Sequence, residues 1–104
     1  MTSAVRVTPW AGSGTPTQSA LTKLMSDEGL SPYAWSNGPH DTYAAHSHTY
    51  NKVIYVVQGG ITFDLPGDGR ALELHPGDRL ELPAGVAHAA RVGPEGVVCL
   101  EAQK

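Results

Sequence analysis

The sequence predicts an all-β fold, a sandwich or barrel, and three observations predict it. From Ser31 onward the chain divides into short apolar or alternating stretches. The breaks between them are Asn37-Gly38-Pro39, Gly59-Gly60, Pro66-Gly67-Asp68-Gly69, Pro76-Gly77-Asp78, Pro83-Ala84-Gly85 and Gly93-Pro94-Glu95-Gly96. Each is rich in residues that supply positive φ or fix a turn. Helical spacing occurs convincingly in one segment, near the N-terminus. Many short, evenly spaced strands with almost no helix point to a closed β architecture.

The chain of 104 residues is long enough for one domain and one core. Residues 1–14 read as a lead-in, in which Val5 and Val7 alternate with polar neighbours as in a short edge strand. The domain proper spans residues 15–104 and opens with a helix over 15–30. Thr15 is expected to cap it, Pro16 to take its first position and Gln18 to complete the cap. Leu21, Leu24 and Met25 form an apolar stripe that would close an open end of the core. Gly29 ends the helix and Leu30 folds back on it. Asp27 and Glu28 stand at the wrong end of the helix dipole.

Strands follow near 33–36, 40–48, 53–58, 60–65, 71–75, 79–82, 87–93 and 96–102. Alternation in Ile61-Thr62-Phe63-Asp64-Leu65 and Leu72-Glu73-Leu74 gives one buried and one wet face.

Composition excludes several classes of function. The net charge is −3 and no basic run exists, which argues against a nucleic-acid partner. The longest apolar runs hold five residues, so no membrane span is expected. Cys99 has no second cysteine to pair with and is expected to be a small buried hydrophobe. Together with an N-terminus lacking a signal-like apolar stretch, this suggests a cytoplasmic protein.

The chemistry concentrates in three histidines. His46 and His48 stand two apart, so a strand would project both to one side. His88 follows a Pro-x-Gly corner and precedes two small residues, Ala89 and Ala90. Three imidazoles meeting at one point could bind a transition metal. His40 and His75 lie outside these stretches, and His75 is expected in an exposed turn. Tyr43 and Tyr55 read as packing aromatics, and Trp10 and Trp35 as core or interface anchors.

At this point the chain resembles a single-domain cupin. The first cupin motif is matched by His46-Ser47-His48, Lys52 and Gly59, with Gly38 ahead at a longer gap than usual. The second is matched by Gly77, Pro83, Gly85 and His88, with Val92 where the family has Asn. The resemblance spans about residues 38–92. It implies a jelly-roll barrel of two antiparallel sheets around a pocket, with His46, His48 and His88 as metal ligands. Lys52 stands where the family has its fourth ligand, a glutamate.

An ammonium has three donors and no lone pair, so Lys52 cannot ligate a metal. The remaining site, three imidazoles without a carboxylate, suits one divalent transition metal: Zn, Fe, Ni, Cu or Mn. Lys52 has two placements open to it. It can swing out to the pocket rim, which the cost of burying an unpaired ammonium favours. Or it can remain inside and hold an anionic ligand. Tyr50, in the loop between the ligand strands, is a second pocket-lining candidate.

Two functions follow. In one, a mononuclear metal acts on a small organic molecule, with oxygenase, isomerase or decarboxylase chemistry implied by the resemblance. In the other, the barrel is a non-enzymatic module in which Lys52 and the histidines contact an anionic ligand without a metal. A homodimer is expected from the family habit and from an edge at 3–8 that could pair with a partner's sheet. A monomeric mass at micromolar concentration would count against it.

Overall fold

The computed structural model describes residues 5–104, so residues 1–4 of the expected lead-in lie outside the described residues. The elements are β1 (Arg6–Thr8), α1 (Gln18–Asp27), β2 (Tyr33–Asn37), β3 (Thr42–His46), β4 (Lys52–Leu65), β5 (Arg70–Leu74), β6 (Arg79–Leu82) and β7 (His88–Gln103). The expected all-β barrel with one short helix is what forms. All strand pairs are antiparallel, in the order β1-β6-β4-β7-β2, with β3 beside β7 and β5 beside β4.

The strands at 53–58 and 60–65 are one continuous strand, β4, and those at 87–93 and 96–102 are likewise one, β7. The glycines between them mark bulges rather than turns, because the pairing register shifts between Val56 and Gln58 and again between Gly59 and Ile61. Before the bulges, Lys52, Ile54 and Val56 face inward, and after them Ile61, Phe63 and Leu65 do. In β7 the inward series is His88, Ala90, Val92, then Val97, Cys99, Glu101. Both strands thus change phase where they cross. Gly59 (φ 79°) and Gly96 (φ 76°) allow this, since a Cβ on Gly59 would stand 2.0 Å from the Gly96 carbonyl oxygen. β4 and β7 each therefore serve both walls, and the expected two sheets are one sheet folded on itself.

The inner face builds the main core from Ile54, Val56, Ile61, Phe63, Leu65, Leu74, Leu80, Leu82, Val92, Val97 and Cys99. Each large aliphatic side chain buried there contributes roughly 1.5–3 kcal/mol. Cys99 is fully buried, as expected, and burial pushes its thiol up to about 12. Val92, in place of the family's Asn, is also core.

The helix differs from expectation in start and in placement. It spans Gln18–Asp27 and its cap is Thr17, whose Oγ1 accepts the Ala20 N–H at 3.1 Å. Pro16 pushes Thr15 towards extended backbone, which delays the helix. At the other end Gly29 (φ 86°) and Leu30 close a Schellman turn, Leu30 N–H donating to the Met25 carbonyl at 2.9 Å. The helix does not plug an open end. Leu21 and Met25 pack on the outer face of β4 and β7, against Val53, Tyr55, Leu100 and Ala102. Leu24, counted in the stripe, is 46% exposed. Glu28 escapes its unfavourable dipole position by a two-point bond with Arg79 at 2.7 and 2.8 Å, with Lys104 at 3.3 Å. These cations hold its carboxyl down at about 2.

Candidate metal centre

Pairing register brings the histidines together. His46 closes β3 directly opposite His88, the first residue of β7. Partners opposite each other across a ladder share a face. His48 follows two residues later and stays on that side. The ring centroids lie 4.8 Å apart for His46 and His48, 4.5 Å for His46 and His88, and 5.3 Å for His48 and His88. One ring nitrogen from each falls within 4.8 Å of the other two. The loop carrying His48 is tied to the Pro83-Ala84-Gly85 corner that precedes His88. Gly85 N–H donates to the His48 carbonyl at 2.8 Å, and Ala84 N–H to Asn51 Oδ1 at 2.9 Å.

Two of the imidazoles have their tautomer fixed by their second nitrogens. His46 Nδ1 lies 2.8 Å from the Ala44 carbonyl and His88 Nδ1 lies 3.0 Å from the Val86 carbonyl. A carbonyl only accepts, so both Nδ1 atoms carry the proton and both Nε2 atoms present a lone pair. Burial lowers the proton affinity of His88. Burial, and then the Lys52 charge, lower that of His48. Neutral imidazole is the form that ligates. Nitrogens on one ion at ~2.1 Å each stand about 3.4 Å apart in a tetrahedron, so separations of up to 4.8 Å need to close by about 1.4 Å at most. The donor set suits an imidazole-binding transition ion.

Lys52 does not swing out to the rim. It is 8% exposed, and its Nζ lies 3.0 Å from His48 Nε2 and 3.3 Å from Glu101 Oε2. The reason is Glu101, a buried carboxylate that supplies the partner whose absence would have expelled the lysine. Glu101 is held in turn by Tyr33, whose hydroxyl donates to Oε2 at 2.7 Å, and by Trp35, whose Nε1–H donates to Oε1 at 3.0 Å. The register makes this possible, since Glu101 stands between Tyr33 of β2 and Ile54 of β4. The bond to Glu101 pushes the Tyr33 hydroxyl up to about 12.

These groups border a cavity of about 310 Å³. His46, His88, Lys52 and Glu101 form its polar part, while Ile54, Ile61, Phe63 and Ala90 form an apolar wall. Tyr33, Trp35 and Tyr43 complete it, so Trp35 and Tyr43 are pocket residues as well as packing aromatics. Tyr50 is not among the lining side chains and touches the site through His48, with ring centroids 5.0 Å apart. His40 and His75 are exposed and away from the cluster. Glu101, Tyr33 and Trp35 are the site residues that sequence reasoning missed. The available signal was one acid at an inward position of the apolar run Val97–Ala102.

No curated protein is similar enough to the chain to match it. Among solved structures, a DUF861 family protein from Thermotoga maritima is 19% identical with a TM-score of 0.63, over 96% of this chain and 99% of its own. That likeness concerns the fold. The polyketide cyclase RemF from Streptomyces resistomycificus is 26% identical with a TM-score of 0.62, over 71% of this chain and 54% of its own. A DMSP lyase is 27% identical with a TM-score of 0.65, over 72% of this chain and 38% of its own. This chain thus spans about half of the cyclase and well under half of the lyase. The cupin domain family matches residues 35–101, which include His46, His48, His88, Lys52 and Glu101. The chain belongs to the cupin family.

Proposed function

We propose that His46, His48 and His88 hold one divalent transition metal, and that a small organic molecule reaches it through the adjoining cavity. The observation that carries this reading is the pair of Nδ1–H bonds to backbone carbonyls, which turns two Nε2 lone pairs to one point beside the third histidine. A bound ion would supply Lewis-acid or oxygen-activating chemistry, with positions left open for substrate. The polyketide cyclase and the DMSP lyase among the similar structures act on organic molecules, which supports the substrate class.

Lys52 competes with the ion for the His48 lone pair in this reading, because its ammonium occupies Nε2. The measurement is metal content by elemental mass spectrometry on protein purified without an affinity tag, with His48→Ala and Lys52→Met beside it. The expected result is close to one transition metal per chain, lost in His48→Ala and bound at least about tenfold more tightly in Lys52→Met. Native protein that stays metal-free after incubation with zinc, nickel, copper, manganese and ferrous iron would sink the metal reading. The cavity would then be a metal-independent binding site.

A further inference from the structure

The one carboxylate and the one ammonium that border the cavity are paired with each other, and that pairing bears on the charge of a ligand. Glu101 is held on both oxygens: Oε2 accepts from Tyr33 and pairs with the Lys52 ammonium, and Oε1 accepts from Trp35. An ammonium has three N–H groups. Lys52 bonds His48 Nε2 at 3.0 Å and forms an ion pair with Glu101 at 3.3 Å, and among the described residues no further protein atom accepts from it. Lys52 thus keeps a donor for a ligand at this corner of the cavity. Around it stand flat apolar faces: Phe63, Trp35 and Tyr43 all line the same space, the last two ring-on-edge at 6.3 Å. A flat, mostly apolar molecule with one acceptor oxygen fits that chemistry.

The charge state of that oxygen is the informative part. Lys52 and Glu101 cancel, so the pair offers an anion only a short-range attraction. Two acceptors of one ammonium stand about 5 Å apart, well within the distance over which like charges repel in water at physiological salt. An incoming carboxylate would also leave its own hydration behind for a half-apolar cavity. A neutral carbonyl accepts the same N–H without either penalty. Resting on the reading that this cavity receives a small organic molecule, we propose that it selects a planar neutral carbonyl compound over the matching carboxylate. Lys52 donates to the carbonyl oxygen, and Glu101 sets the selectivity by cancelling the lysine charge. This replaces the anionic ligand that Lys52 alone suggested in the sequence.

The test uses acetophenone and benzoate, one ring with two oxygen chemistries, titrated calorimetrically into chelated, metal-free protein, where no ion can draw the carboxylate. Acetophenone is expected to bind at least about tenfold more tightly than benzoate. Glu101→Gln removes the cancelling charge but keeps an acceptor for Lys52. It is expected to shift the ratio towards benzoate by at least about tenfold. Benzoate binding as well as acetophenone to the native protein, neither probe binding, or a ratio unchanged in Glu101→Gln would each overturn the proposal. Should Glu101→Gln fail to fold, Lys52→Met/Glu101→Leu takes its place, both charges being removed. Acetophenone then loses its donor and should bind at least about fivefold more weakly, whereas undiminished binding would overturn the proposal. Because the titrations are metal-free, a failed metal reading and a failed carbonyl preference show up in different experiments.

Discussion

The two faces of the β4–β7 pair carry the same kind of interaction to different ends. On the outer face Val53, Tyr55, Leu100 and Ala102 receive the helix, and Glu28 is clasped by Arg79 and Lys104 at its edge. One residue further along each strand, on the inner face, Lys52 meets Glu101 beside the cavity. The outer cluster is closed, with Arg79 donating to both Glu28 oxygens and to the Tyr55 hydroxyl at 3.1 Å. The inner cluster keeps a donor and a space. Apolar side chains complete a face that only has to hold, whereas a face meant to receive something is left incomplete. The comparison assigns stability to one side of the strands and the candidate site to the other.

The sharpest way to break that division is Met25→Ala on the outer face. Met25 is fully buried under the helix, and its truncation should cost about 3 kcal/mol in urea unfolding. Binding at the three histidines should be unaffected in protein that remains folded. A matching loss of affinity would show that the faces are coupled.

Next in size are Lys52→Met and Glu101→Leu. Either alone leaves a charge with side-chain exposure of 9% or less and should cost about 2–3 kcal/mol, softened by water in the cavity. Together they should fall within about 1 kcal/mol of the native protein. Two losses that simply add would mean the pair does not act as a unit.

The smallest effect is in acid. Folded Glu28 takes up its proton only near pH 2, against an ordinary value of 4.5, so the unfolded chain is protonated first. The stability it contributes is present above about pH 4.5 and is lost as pH falls towards 2. Glu28→Gln should flatten that part of the stability profile, measured by thermal unfolding at a series of pH values.

Most of the architecture and half of the site were legible in the sequence. His46, His48 and His88 announce themselves by spacing, and the Pro83–Gly85 corner announces the strand that delivers the third. The helix start was misjudged because two threonines flank Pro16, and only the backbone shows that Thr17 takes the cap. Glu101 was illegible for a deeper reason. It matters through a lateral register, Tyr33 to Glu101 to Ile54, and register across non-neighbouring strands is not written in any local pattern. With Glu101 unseen, Lys52 looked like an orphan, and an orphan belongs outside.

The bulges at Gly59 and Gly96 have a consequence in counting. His88 and Glu101 lie on one strand, separated by an odd number of steps, yet both point into the cavity because the chain skips one beat between Val92 and Val97. β4 skips its own beat between Val56 and Ile61. The cavity is thus a matter of parity. Deleting or adding a single residue between Gly93 and Gly96 would leave the composition of the barrel almost unchanged while turning either the histidine end or the carboxylate end outward. Length in this segment is as tightly specified as any side chain in the site.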